Sequence, residues 1–233
     1  MPPGLSDCET VPHYLGHRAR LRARLLERGA DSLADYELME LVLLAAIPRR
    51  DVKPLAKELI DKFGSFADAI AAPAERLKQF KWLKANGVAQ LKIVEAAAVR
   101  LAKTRVMGKT ALSSWNALLD YCAAAMARAA EEEFRVLFLD RKNVLIQDKV
   151  MNRGTVDHAP VYPREIVKLA LELSASALIL VHNHPSGDPT PSRADIEMTR
   201  EVVEAARALR IAVHDHIVIG RNGTASFKAL GLL

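Results

Sequence analysis

Two rhythms of apolar residues divide this chain. Over the first half, leucines, isoleucines and valines recur at three- and four-residue intervals, the period of a helix face. HRARLRARLLERG (17–29) sets Leu21, Leu25 and Leu26 at that spacing among arginines at 18, 20, 22, 24 and 28. Ser32-x-x-Asp35 is a helix-start signature ahead of YELMELVLLAAI (36–47), which Pro48 ends. VKPLAKELIDKFG (52–64) reads as a third helix closed by Gly64. Short helical pieces at 65–72 and 74–80 flank Pro73, and a longer basic helix covers 86–105. With little strand character before residue 110, residues 17–109 are expected to form an all-α domain. Residues 1–16, with three prolines and no periodicity, are expected to be a flexible tail.

Beyond Gly108–Ser114 the pattern changes. Residues 115–130 read as a helix, and FRVLFLD (134–140) and VLIQDKV (144–150) as strands around a turn at 141–143. Pro163 suits the first position of helix REIVKLALELSA. ALILVHN (177–183) is a continuous apolar run, expected as a buried strand. A helix over 192–209 and a strand over 212–220 follow, and Asn222-Gly223 predicts a hairpin turn into ASFKAL. Strands alternating with helices predict an α/β domain over 110–233.

Composition narrows the class. Half of the 233 residues are apolar, 26% are charged, and there are 11 glycines and 11 prolines. Such a chain can bury a core, which excludes wholesale disorder. No run approaches the length of a membrane-spanning helix, and the start lacks a basic segment followed by an apolar one. Cys8 and Cys122 form neither a CxxC pair nor a disulfide framework, which suits a reducing cytoplasm. Charge is uneven: residues 74–109 carry nine basic and two acidic residues, whereas 110–233 carry 14 and 15. A basic helical half predicts weak, sequence-independent DNA binding through residues 17–109, unless the charge is simply a solvated face.

The candidate chemistry lies in HNHPSGDPTPSRAD (182–195). His182 and His184 are two apart at a strand end, so both imidazoles point to one side. Asp195 arrives from the first turn of the next helix, after a loop stiffened by Pro185, Pro189 and Pro191. Two neutral imidazoles and a carboxylate are the ligand set of a catalytic zinc with an open fourth position. Ser192-x-x-Asp195 is at the same time a helix-capping signature, and both roles can hold. A second H-x-H pair, His214 and His216, has only Asp215 beside it. His214 is therefore read as a surface or core residue, and His216 as structural.

His184, Ser192 and Asp195 stand at the spacing of the JAMM (MPN+) metalloprotease motif. With VYPREIVKLALELSASALIL upstream and DHIVIG downstream, residues 130–233 resemble the RadC family, a bacterial branch named for DNA repair. LLERGADSLADYELMELVL and PLAKELIDKFGSF are similar to that family's helical N-terminal region. The resemblance implies a helix-hairpin-helix-like first region and a cytidine-deaminase-like α/β MPN domain. It implies one zinc per chain on His182, His184 and Asp195, with Ser192 hydrogen-bonding the oxyanion. It implies a glutamate base at the edge of the first strand, where Glu131, Glu132 and Glu133 stand. E-x-F fits Glu132-Glu133-Phe134 and favours Glu132, since only one of Glu132 and Glu133 can face the metal. The reaction implied is hydrolysis of an amide or isopeptide bond in a polypeptide substrate by metal-activated water. The alternative is a DNA-binding repair or recombination accessory protein whose zinc domain is regulatory or structural. Two departures stand out. Where the family's hairpin carries a G-x-G turn this chain reads LKANGVAQ, and Asn183 replaces the Ser or Thr of eukaryotic deubiquitinating members.

Overall fold

The computed structural model describes residues 16–111, 113–154 and 161–233. The tail expected over 1–16 therefore lies, apart from Gly16, outside the described residues. The chain divides into two compact units between Ile93 and Val94.

The first unit is helical. It contains α1 (His17–Arg28), α2 (Asp35–Ala46), α3 (Lys53–Phe63), α4 (Phe66–Ala71), α5 (Ala74–Leu77) and the first turns of α6 (Ala85–Thr104). Apolar residues at helical spacing go inside: Leu21, Met39, Leu43, Leu55, Leu59, Leu77 and Leu91 are all buried. Gly64 ends α3 at φ 94°, as its position after the last apolar residue predicts. The start of α2 differs from expectation. Ser32 ends a short 3₁₀ turn and its hydroxyl donates to the Gly29 carbonyl, so it does not cap α2. Ala34 is the N-cap residue, and Glu37 reaches back to accept from its N–H at 3.0 Å. Arginines of α1 hold the unit together. Arg24 pairs with Glu37 at 2.5 Å, and Arg18 donates to the carbonyls of Pro48 and Arg50 beyond α2. Gly87, the glycine left in LKANGVAQ, is buried inside α6, where a Cβ would lie 2.6 Å from the Leu83 side chain.

The second unit is an α/β domain. It holds α7 (Trp115–Met126), β1 (Glu132–Leu139), β2 (Leu145–Gly154), α8 (Pro163–Glu172), β3 (Ala177–Asn183), α9 (Arg193–Ala208), β4 (Ala212–Gly220) and β5 (Gly223–Ser226). The strands form one sheet in the order β2-β1-β3-β4-β5. β3 pairs antiparallel with β1 and parallel with β4. This central position explains its unbroken apolar run, because both faces are covered. Leu137, Leu139, Ile179, Val181, Ile217 and Ile219 pack with α7 on one face. Phe134, Val136, Phe138, Leu178 and Leu180 pack with α8 and α9 on the other. Val106 and Ala111 are buried in the first of these cores, so the chain from the end of α6 onward packs with the sheet. The closing hairpin is one residue earlier than Asn222-Gly223 suggests. Gly220 pairs with Gly223, leaving Arg221 and Asn222 as its loop.

Candidate metal centre

Strand order brings the site together. β3 ends at His182 and Asn183, β1 begins beside them, and α9 starts across from them. His182, His184 and Asp195 converge, each offering one ligand atom. His182 Nε2 lies 3.3 Å from Asp195 Oδ1, His184 Nε2 lies 3.4 Å from Asp195 Oδ2, and the two Nε2 atoms are 3.0 Å apart. Donors about 2.0–2.1 Å from a zinc ion at tetrahedral angles lie roughly 3.3 Å from one another. Each imidazole meets its own Asp195 oxygen near that separation, so the three groups can converge on one cation.

Hydrogen bonds around the three candidate ligands set their protonation. His184 Nδ1 lies 2.8 Å from the Asp188 carbonyl oxygen, which can only accept, so Nδ1 carries the proton and Nε2 keeps its lone pair. Asp195 caps α9 while offering its carboxylate. Its N–H donates to Ser192 Oγ at 3.1 Å, and its Oδ2 accepts from the Ser192 N–H and hydroxyl, each at 2.7 Å. Burial alone pushes the Asp195 carboxyl up, but the adjoining His182 and His184 rings and Ser192 outweigh it and hold the group well below the usual carboxylate range. The neighbouring Asp195 carboxylate in turn raises His184 against the effect of burial. A carboxylate kept ionised beside converging imidazole nitrogens is chemically suited to a small divalent cation.

The loop from His184 to Asp195 is seated by backbone. His184 N–H donates to the Ile219 carbonyl at 2.9 Å. Gly220 follows, where a Cβ would fall 2.3 Å from the Gly187 carbonyl oxygen. Only glycine lets the loop lie this close to the end of β4.

The three candidate glutamates separate by strand face. Phe134 stands opposite His182 in the β1–β3 ladder, so Glu132, two residues earlier, shares the face of the ligands. Glu132 is half-buried, and its charge is among those that raise His184. Glu133 turns to the opposite face and is buried in an ion network. It accepts from Arg135 Nη2 at 2.6 Å and Arg153 Nε at 2.8 Å. Arg135 also meets Asp148 at 2.8 Å, and Asp148 in turn accepts from Tyr121 and Lys103. Glu131 is exposed.

Two residues near the centre have functions that spacing alone does not suggest. The fully buried Asn183 side chain accepts from the Glu133 N–H at 2.8 Å and donates to the Glu131 carbonyl at 3.1 Å. It extends the β1–β3 ladder past its last backbone pair and fixes the segment that carries Glu132. His216, in the second H-x-H pair, contacts His182 at 2.7 Å from Nε2 to Nδ1 and stacks on Phe227 with ring centroids 4.5 Å apart. Burial pushes its imidazole well below the ordinary value. His214 goes elsewhere, because an irregularity in the β3–β4 register between Val213 and Asp215 sets it apart, and its ring meets Asn143 Oδ1 at 2.6 Å. Cys122 is buried in α7 with its thiol pushed up to about 12 by burial, so it offers no thiolate at neutral pH.

A family description, the RadC-like JAB domain, matches residues 112–232. A UPF0758 protein from Rhodobacter capsulatus is 62% identical over 213 residues, which is 91% of this chain and 100% of that protein. Among the described residues, no helix is long and apolar enough to cross a membrane. The chain belongs to the RadC family, with its JAB domain carried by the α/β unit.

Proposed function

We propose that this protein is a zinc-dependent hydrolase of the JAMM type that cleaves an amide or isopeptide bond in a polypeptide. The observation that carries this reading is the convergence of His182, His184 and Asp195, each offering one ligand atom, beside the Glu132 carboxylate on the same strand face. His182, His184 and Asp195 would hold the zinc, which would supply a Lewis acid and lower the pKa of a bound water to about 7. Glu132, on the ligand face, takes a proton from the attacking water and passes it to the leaving amine. Ser192, at the mouth of the site, presents a hydroxyl for the developing oxyanion once that hydroxyl turns from Asp195.

The test combines metal analysis with a screen of peptide and isopeptide substrates. The purified protein should carry one zinc per chain, and H182A should lose most of it. E132Q should keep its zinc while hydrolysis falls by roughly 10²-fold or more. X-ray absorption showing a closed shell of four protein ligands, or full activity in E132Q, would overturn the reading.

A second reading concerns the helical unit, as a weak binder of DNA backbone. Trp82 is 44% exposed, with the Arg50 guanidinium 3.8 Å from its ring centroid and Lys81 Nζ 4.9 Å away. An exposed indole flanked by cations offers stacking and charge without base-edge readout. Binding of full-length protein to duplex DNA should be independent of sequence and fall steeply with salt. Binding unchanged by salt, or undetectable at low salt, would refute it.

A further inference from the structure

The ring of His182 is almost wholly enclosed, and its second nitrogen opens onto a line of buried polar groups. His182 Nδ1 lies 2.7 Å from His216 Nε2. His216 Nδ1 lies 2.6 Å from Thr199 Oγ1. Thr199 Oγ1 lies 2.5 Å from the carbonyl oxygen of Asp195, one helical turn earlier in α9. The line therefore runs from one candidate ligand back to the backbone of another.

Proton counting gives the line a direction. A carbonyl oxygen can only accept, so the single hydroxyl proton of Thr199 goes to Asp195. Thr199 Oγ1 must then accept from His216, which places the His216 proton on Nδ1. The two His216 nitrogens meet a hydroxyl and an imidazole, and the ring is buried against Phe134 and Phe227. A neutral ring with its proton on Nδ1 has a lone pair on Nε2. That lone pair faces His182 Nδ1, which must carry a proton. His182 Nε2 is left with its lone pair pointing at His184 and Asp195. The reverse direction would set Thr199 Oγ1 and the Asp195 carbonyl 2.5 Å apart with no proton between them, and would protonate His182 on its ligating nitrogen.

We propose that Thr199 and His216 are positioning residues for the metal, a relay that holds His182 in the one tautomer able to ligate through Nε2. The proposal rests on the reading of His182, His184 and Asp195 as a metal centre, and adds the groups that preset it. Partners of this kind fix ring orientation and tautomer at metal sites, and their loss typically lowers metal affinity by about 10–100-fold.

Two measurements test the relay. Long-range ¹H–¹⁵N NMR of the metal-free, histidine-labelled protein should show His182 protonated on Nδ1 and unprotonated on Nε2. Zinc affinity, measured by competition with a chromophoric chelator, should fall about 10-fold or more in T199V, which keeps shape but removes the acceptor. T199S restores the hydroxyl and should bind zinc as the unaltered protein does. Unchanged affinity in T199V, or His182 protonated on Nε2 in the unaltered protein, would overturn the relay while leaving zinc binding in place. An unaltered protein that binds no zinc would instead overturn the metal reading and the relay's role with it. Should T199V fail to fold, the NMR result on the unaltered protein decides.

Discussion

Glu132 and Glu133 are neighbours with opposite environments, because a strand sends successive side chains to opposite faces. Glu132 looks toward the ligands, whereas Glu133 is held by Arg135 and Arg153. Glu133→Gln should therefore behave as a stability variant. It weakens charge-assisted hydrogen bonds to Arg135 and should cost about 2 kcal/mol, read as a lower denaturation midpoint with zinc content unchanged. Loss of zinc or of hydrolysis in a folded Glu133→Gln protein would contradict the assignment of faces. The two H-x-H pairs teach the same lesson. At 182 and 184 regular alternation puts both rings into one cluster, while at 214 and 216 a register irregularity separates them.

At the scale of elements, much was legible in the pattern. Pro163 begins α8 because its ring fixes φ near the helical value, and Gly64 closes α3 because it takes a positive φ without a Cβ penalty. The span of β3 followed from an apolar run too short and too β-branched for a helix. Ser32 misled because a hydroxyl at N-cap spacing has other acceptors, and Gly29 offers one. At the site, the candidate ligands and the capping serine lie on one short stretch, so their spacing was enough to single out the group that the fold brings together. Thr199 stands four residues after Asp195 on the same helix face, a spacing that could have drawn notice. His216 and Asn183 carried no such signal. Their roles depend on β3 lying between β1 and β4, a long-range pairing that local periodicity does not encode.

For the whole molecule, the packing of residues 94–111 against the sheet decides where the second unit can be cut. Val106 and Ala111 are buried with the sheet. Gly108 N–H donates to the Leu145 carbonyl at 3.1 Å, and Leu145 N–H returns to the Lys109 carbonyl at 3.0 Å. Lys103 reaches Asp148 at 3.2 Å. A fragment of residues 94–233 should unfold cooperatively by circular dichroism. A fragment starting at 112 removes Val106 and the backbone pairs to Leu145, and should be several kcal/mol less stable on the scale of lost core side chains and hydrogen bonds. Equal stability of the two fragments would show that residues 94–111 add nothing to the domain's core.

The strand order also has a consequence for time. Residues that carry or brace the site start at 132 on β1, pass through 182 on β3 and end at 216 on β4, so its assembly waits for contacts distant along the chain. Such topologies close slowly. Before closure, an ion meets little more than a pair of histidines two residues apart, since Asp195, the staple of Asn183 and the support of His216 do not yet face them. An ion bound by the proposed centre would arrive after the rate-limiting step. It would leave the folding rate almost unchanged and slow unfolding, so that the lifetime of the native state, rather than the speed of reaching it, would record whether the site is filled.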